Sequence, residues 1–165
     1  MSDGLDHKAG RLQLTHRVGY IGYDYPREWP IERPSVLLPF SHTIRFELDS
    51  PDGIAEWDAN FPGNGVAYLG EHKQPFTVGL MHELRCLDIL RQSVVRDANA
   101  GPPSEWARHC LNYMKQAIIC RGDTHLESIQ YPNHFDPVDR EGIYECKDWS
   151  AVYHAVKQSQ EEYAR

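Results

Sequence analysis

Apolar side chains recur at helical intervals in the middle of this chain. Within residues 77–97, Leu84, Leu87, Leu90 and Val94 stand three or four positions apart. This spacing places side chains on one face of an amphipathic helix. The pattern therefore predicts a helix here, with an apolar stripe that packs on the rest of the protein.

A second amphipathic helix is predicted beyond the break at "NAGPPSEW". Ser104 can cap its first turn with the side-chain oxygen, and we expect the helix to end near Gly122. Its apolar stripe has the same kind of spacing and consists of Ala107, Leu111, Met114 and Ile118.

The flanking sequence predicts smaller elements. Residues 42–50, "HTIRFELDS", alternate polar and apolar side chains as a half-buried strand does, and residues 36–40, "VLLPF", also read as a strand. Weaker patterns predict a helix around residues 54–59, a loop over 130–142 and a polar helix over 148–165.

These elements predict a helix-rich α+β fold with the two amphipathic helices side by side and a small antiparallel sheet. The length of 165 residues and the hydrophobic content of 41% fit a single globular domain over residues 1–165. Residues 1–35, rich in Gly, Pro and charge, are expected to form an extended arm over one edge of the core at residues 36–165.

Charge and hydropathy argue against two classes of partner. The formal net charge is −7 and the sequence contains no run of Lys and Arg, so we expect no nucleic-acid partner. No stretch reaches the ~18 apolar residues that a membrane span needs. We therefore expect no membrane span in this chain, which as given reads as soluble.

The two central helices contain a repeated unit. When "HELRCLDILRQSVV" is set over "WARHCLNYMKQAII", Cys86 coincides with Cys110 and most of the following residues pair by type. His82 and Arg85 share a helical face because they are three positions apart, and His109 lies opposite the apolar stripe of its own helix. A solvated second face is the plain interpretation, but the repetition favours paired helices whose histidines converge on one cavity.

The repeated unit resembles the two HxxHC motifs of the UstYa-like proteins, tailoring enzymes of fungal secondary-metabolite gene clusters. "EWDANFPGNG", "HCLNYMKQAIICRGDTHLE" and "YECKDWSAVYHAVKQ" resemble other segments of that family, so the likeness covers most of residues 50–157. Three family histidines are replaced here, by Arg85, Trp106 and Tyr144. Family members usually carry an N-terminal membrane helix, so the resemblance suggests the secretory-pathway lumen or a vesicle if an anchor was removed; the location is otherwise open.

The resemblance implies oxidative chemistry at paired histidines, with copper as a metal of at least some members. Arg85 is always cationic and Trp106 has no ligating atom, so a two-copper site is not expected. One ion held by His82, His109 and His125 is the remaining metal hypothesis.

The hypothesis that we favour at this point has no cofactor. Arg85 would hold a substrate oxygen, His82 and His109 would transfer protons, and Trp106 would form an apolar wall. Such a pocket suits a redox-neutral ring-forming step, a cyclisation or cycloaddition, on a small natural-product intermediate. Asp123 and His125 are expected to help bind the substrate, although Asp123 also reads as a helix-capping residue.

Two alternatives remain open. One is a copper-dependent oxidase that performs oxidative cyclisation, hydroxylation or halogenation. The other is a non-catalytic partner of a family oxidase, in which the repeated helices form a surface for a homodimer or for pairing with another family member.

The four cysteines fall at cysteine positions of the family. The resemblance therefore implies two disulfides, Cys86–Cys110 and Cys120–Cys146, and no free thiol. A set of thiolate metal ligands is the rival interpretation.

Overall fold

The computed structural model describes residues 18–41, 43–97, 99, 101–129 and 141–165. The first part of the predicted arm and most of the predicted loop over 130–142 lie outside these residues. The elements in chain order are β1 (Ser35–Phe40), α1 (Pro51–Asp58), β2 (Val66–Leu69), β3 (Gln74–Thr77), α2 (Gly79–Val94), α3 (Glu105–Arg121), β4 (Gly142–Lys147) and α4 (Trp149–Tyr163). The predicted α+β class is confirmed.

Two small antiparallel sheets frame the helices. Strand β1 pairs with β4 in a register that places Ser35 opposite Lys147 and Phe40 opposite Gly142. Strands β2 and β3 form a hairpin. The described part of the arm packs beside this hairpin, where Trp29 and Ile31 contact the core cluster.

The predicted strand over residues 42–50 is wrong for the residues that the structure describes there. Phe46 has a positive φ of 60°, which bends the backbone out of the extended conformation. Side chains of helix α1 also form hydrogen bonds with backbone groups that a strand would use for pairing. The Phe46 amide donates to Glu56 Oε2, and Trp57 Nε1 donates to the carbonyls of Phe46 and Glu47.

The core lies between α2, α4 and the β2–β3 hairpin. Its buried members are Phe61, Ala67, Met81, Val152 and Val156. The hairpin is fixed to α4 by a buried hydroxyl, since Ser159 accepts from the Tyr68 amide and donates to the Tyr68 carbonyl. This packing holds the first turns of α2 in place.

Helix α2 does not bury the stripe that its periodicity suggested. Its buried residues are Met81, Cys86, Asp88 and Arg91, whereas Val94 is 71% exposed. The buried face contains an ion pair, in which Arg91 contacts Asp88 at 2.8 Å and also donates to the Leu48 carbonyl. Two charges in a buried position require such partners.

Helix α3 begins and ends where the sequence predicts. The Ser104 hydroxyl accepts from the Ala107 amide, and Gly122 closes the helix in the left-handed conformation. Within the predicted stripe only Ala107 is buried, whereas Leu111 and Ile118 are 62% and 65% exposed. The helix packs mainly on α2.

Among the described residues, no helix combines the length and the apolar character needed to span a membrane.

Candidate functional site

A disulfide joins the two helices of the repeat. Cys86 of α2 and Cys110 of α3 are bonded, with their Cα atoms 4.8 Å apart, and this confirms the first predicted bridge. Arg121, at the end of α3, donates to Glu83 near the start of α2 at 2.9 Å. The helices therefore run antiparallel, so the equivalent cysteines meet at the bridge, and residues before Cys86 face residues after Cys110.

This pairing brings the two histidines together. The ring centroids of His82 and His109 are 5.8 Å apart, and the ring planes differ by 18°. His82 also stacks on Tyr113, with centroids 3.9 Å apart. The two rings therefore lie next to each other, and this proximity follows from the disulfide and the antiparallel packing.

Arg85 lies one turn after His82 and is exposed. Its guanidinium carbon is 4.3 Å from the centroid of the Phe61 ring, a distance at which a cation is attracted by the ring face. No hydrogen bond or ion pair links the guanidinium to another residue that the structure describes. Its N–H edge is therefore available to a ligand oxygen.

Trp106 lies at the outer edge of the histidine pair. Its ring meets His109 edge-on, with centroids 6.3 Å apart, and 70% of the residue is exposed. Both side chains line an open depression of about 490 Å³ together with Glu105, Arg108 and Asn112. His82 is not part of that lining, so only one of the two histidines faces the depression, and this depression is not the shared cavity that the repeat predicted.

Asp123 and His125 are not brought to the histidine pair. They follow the end of α3, and twelve residues separate His109 from Arg121, which corresponds to about 18 Å along the helix axis. The Asp123 carboxylate accepts from the His125 amide at 2.9 Å, and the His125 ring packs on Tyr144. Neither residue lines the depression at Trp106, and their role in substrate binding stays a prediction.

The donor atoms near the histidine pair provide few ligands for a metal ion. Among the described residues, one set of three ligand atoms lies close enough to hold an ion: nitrogens of His82 and His109 and the sulfur of Cys86, all within 4.8 Å of one another. His125 is not a member, so the predicted triad of histidines is not assembled. Cys86 is bonded to Cys110, which leaves copper two imidazoles and no thiolate. This is fewer ligands than trigonal or tetragonal copper sites use, so copper fits the oxidised protein poorly.

The second predicted disulfide is absent. Cys120 and Cys146 are both free, the first exposed and the second half-buried. Cys120 belongs to the last turn of α3, while Cys146 sits in β4, whose position is set by its pairing with β1. The expectation that the protein contains no free thiol is therefore wrong in this structure.

Two residues beside the site, Tyr113 and Phe61, were not predicted from the sequence. Tyr113 is four positions after His109, which places both on one face of α3, so helical spacing could have identified it. Phe61 lies in the loop after α1 and reaches Arg85 only through the tertiary fold. No local signal marked it.

Comparisons with known proteins identify relatives of the chain. The profile of the family described as "Mycotoxin biosynthesis protein UstYa" matches residues 25–154. The chain is 30% identical over 86 residues to the UstYa family oxidase phomYb of Diaporthe leptostromiformis, covering 49% of this chain and 34% of the relative. It is 30% identical over 95 residues to phomYd of the same fungus, covering 52% and 31%.

The oxidase ustYa of Aspergillus flavus is a more distant match, 29% identical over 79 residues, which are 46% of this chain and 37% of the relative. The matched stretches thus span about a third of the length of these relatives. No solved structure matches the chain. Because the family profile covers most of the chain, including both repeated helices, the protein belongs to the UstYa family of mycotoxin biosynthesis proteins.

Proposed function

We propose that this protein is a tailoring enzyme of secondary metabolism that closes a ring without redox change, at the helical face that carries His82, Arg85 and His109. The observation that supports this most is the closeness of the His82 and His109 rings, whose centroids are 5.8 Å apart, with Arg85 one turn after His82 on α2. The substrate is a small natural-product intermediate with an oxygen next to the reacting carbons.

The histidine pair acts as acid and base. Imidazole is the side chain that changes protonation around neutral pH. In this proposal one ring serves as the base and the other as the acid. The neutral ring removes a proton from the substrate, and the protonated ring donates one to the developing product.

Arg85 binds the substrate oxygen. Phe61 covers one face of the guanidinium at 4.3 Å and so restricts its orientation, while the edge donors remain free. A guanidinium presents fixed parallel donors that suit a carbonyl or carboxylate. Negative charge that develops on the oxygen during ring closure is thereby stabilised.

Trp106 and Tyr113 provide ring surfaces on either side of the histidines. Trp106 meets His109 edge-on, and Tyr113 stacks on His82. A flat or polyunsaturated substrate is rigid, so it can pack against these rings with little loss of conformational entropy. Orientation of the two reacting ends then contributes to the rate.

Substitution of Arg85 by the histidine of the family motif tests this proposal. Arg85→His removes the donor fork, and loss of one such donor commonly costs ~10²–10³ in rate, so product formation should fall by that factor. The assay uses the compound that accumulates in the host when this protein is deleted. Lys115→His, which replaces an exposed cation on α3, is the matched control and should retain the wild-type rate.

Unchanged or faster turnover by Arg85→His would contradict the redox-neutral proposal. A metal oxidase gains an imidazole and loses a repulsive charge through this change. A non-catalytic partner would show no turnover in the wild type, and its activity would depend on a second family member.

The second candidate is a copper-dependent oxidase. Two observations favour it: the donor atoms of His82, Cys86 and His109 lie within 4.8 Å, and the relatives are named oxidases. If the Cys86–Cys110 bridge is reduced, the freed thiolate would complete a set of two histidines and one cysteine, a ligand type that suits copper. Metal analysis of the oxidised and the reduced protein separates the candidates, since this one requires stoichiometric copper.

A further inference from the structure

A separate cavity of about 610 Å³ lies between the described part of the arm, the β2–β3 hairpin and the first turns of α2 and α4. Its lining includes Val78, Gly79 and Leu80 at the start of α2 but neither His82 nor His109. The volume is within the range of sites for small organic molecules. This cavity is therefore distinct from the proposed catalytic face.

One part of the cavity lining is a group of aromatic rings. Phe76 is contacted edge-on by Tyr20 and Tyr25, with centroids 6.0 and 5.1 Å away. Trp29 and Trp149 also line the cavity. Edge-to-face contacts fix the orientations of these rings, so this aromatic wall of the cavity is preorganised to stack with a flat ring of a ligand.

The charges of the lining are opposite in sign to those of the protein as a whole. Two acidic residues, Glu28 and Asp148, are outnumbered by four cationic ones, which gives a local excess of two positive charges in a chain of net charge −7. The cationic residues are Arg27, Arg33, Arg121 and Lys147. A concave surface of one sign attracts ligands of the other sign.

Two of the cationic groups have no carboxylate partner among the described residues. Lys147 donates only to the Ser35 hydroxyl, at 3.0 Å, and Arg27 has no such contact. The Asp148 carboxylate is occupied at the start of α4, where it accepts from the amide and the hydroxyl of Ser150. The local positive charge is thus not cancelled within the cavity.

We propose that this cavity binds a small organic acid with a flat ring system, its carboxylate facing Arg27 and Lys147 and its ring lying on the aromatic wall. The site requires both parts of the ligand. Contact with the aromatic wall buries the apolar surface of the ligand ring, and charge-assisted hydrogen bonds hold its carboxylate. The inference does not depend on the chemistry proposed for His82 and His109.

Calorimetric titration with 2-naphthoate tests the site. We expect saturable binding of one equivalent that weakens as salt is added. The neutral 2-naphthamide and inorganic phosphate, which lack the charge and the ring respectively, should each bind at least about tenfold more weakly. The Arg27→Gln/Lys147→Gln double variant should weaken naphthoate by a similar factor, while Lys115→Gln, an exposed cation outside the cavity, should not.

Equal binding of naphthoate and naphthamide would overturn the proposal, because it would reveal an apolar surface without selection for charge. Absence of saturable naphthoate binding would overturn it as well. The comparison of the two ligands uses only the wild-type protein, so it remains decisive if the double variant folds poorly.

Discussion

At the scale of single residues, the least expected feature is the buried pair of Asp88 and Arg91. Asp88 is 2% exposed, and its carboxylate accepts from Arg91 and from Gln92. Arg91 in turn reaches the Leu48 carbonyl and lies over Trp57, which ties α2 to the segment around α1. The apolar stripe was visible in the sequence, but nothing in the periodicity indicated that the buried face would be charged.

Removal of one member of this pair should be costly. Asp88→Ala leaves the Arg91 charge buried without its partner, and we expect the free energy of unfolding to fall by about 3 kcal/mol. Asn112→Ala provides the matched control, since Asn112 is the equivalent residue of the repeat but is exposed. Its effect should stay within about 0.5 kcal/mol.

Urea denaturation followed by circular dichroism measures both variants. Equal stability of Asp88→Ala and Asn112→Ala would contradict the importance assigned to the buried pair.

At the scale of elements, the pairing of α2 and α3 depends on one covalent bond and a shared face. The repeat predicted that the helices would pack together, because two similar helices side by side bring equivalent faces into contact. The strands were harder to predict. β4 pairs with β1 across more than a hundred residues, and β2 and β3 contain only four residues each. Such short strands carry too few side chains to show an alternation.

Thiol titration tests the covalent link. In denaturant without reductant, the protein should release two titratable thiols, those of Cys120 and Cys146. Reduction beforehand should raise the number to four, because it opens the Cys86–Cys110 bridge.

Four titratable thiols without reduction would show that Cys86 and Cys110 are not bonded. No titratable thiol would show that Cys120 and Cys146 form a second bridge. A Cys86→Ser/Cys110→Ser variant should be less stable than the oxidised wild type by about 3 kcal/mol, the value expected for a loop of this length.

The start of α4 should contribute to acid sensitivity. Hydrogen bonds from Ser150, the side chain first, hold the pKa of Asp148 below its ordinary value of 3.8. The carboxylate is therefore stabilising above that value, and the contribution is lost as the pH falls through the lower pKa of the folded state.

Asp148→Asn keeps a capping acceptor but does not titrate. Its stability should stay close to that of the wild type at neutral pH and should decline less steeply between about pH 5 and 2. The measurement is the free energy of unfolding as a function of pH. If it falls equally for both proteins at low pH, the Asp148 cap does not contribute to acid sensitivity.

At the scale of the whole molecule, the candidate site was only partly predictable. His82 and His109 were identified because their positions in the repeat can be read from the sequence. Asp123 and His125 were grouped with them by closeness in the chain, but the length of α3 places them near the far end of the helix. Phe61, which orients Arg85, comes from a loop whose position depends on the complete core.

The fold also leaves apolar side chains of the repeated helices exposed. Leu111, Ile118 and Val94 are between 62% and 71% exposed, although their spacing is that of a packed stripe. The sequence alone could not distinguish a stripe that faces the core from one that the core does not cover. The core instead forms around α4 and the hairpin, and of the α2 stripe Leu84 packs against it.

The proposed chemistry at His82, Arg85 and His109 proceeds without oxidation. The most direct measurement is product formation by the wild-type protein under strictly anaerobic conditions with a strong metal chelator, using the precursor that accumulates in its absence. We predict a rate equal to that in air without chelator, a product isomeric with or dehydrated from the precursor, and loss of turnover in His109→Gln. A requirement for oxygen, or recovery of activity only when copper is added, would contradict it.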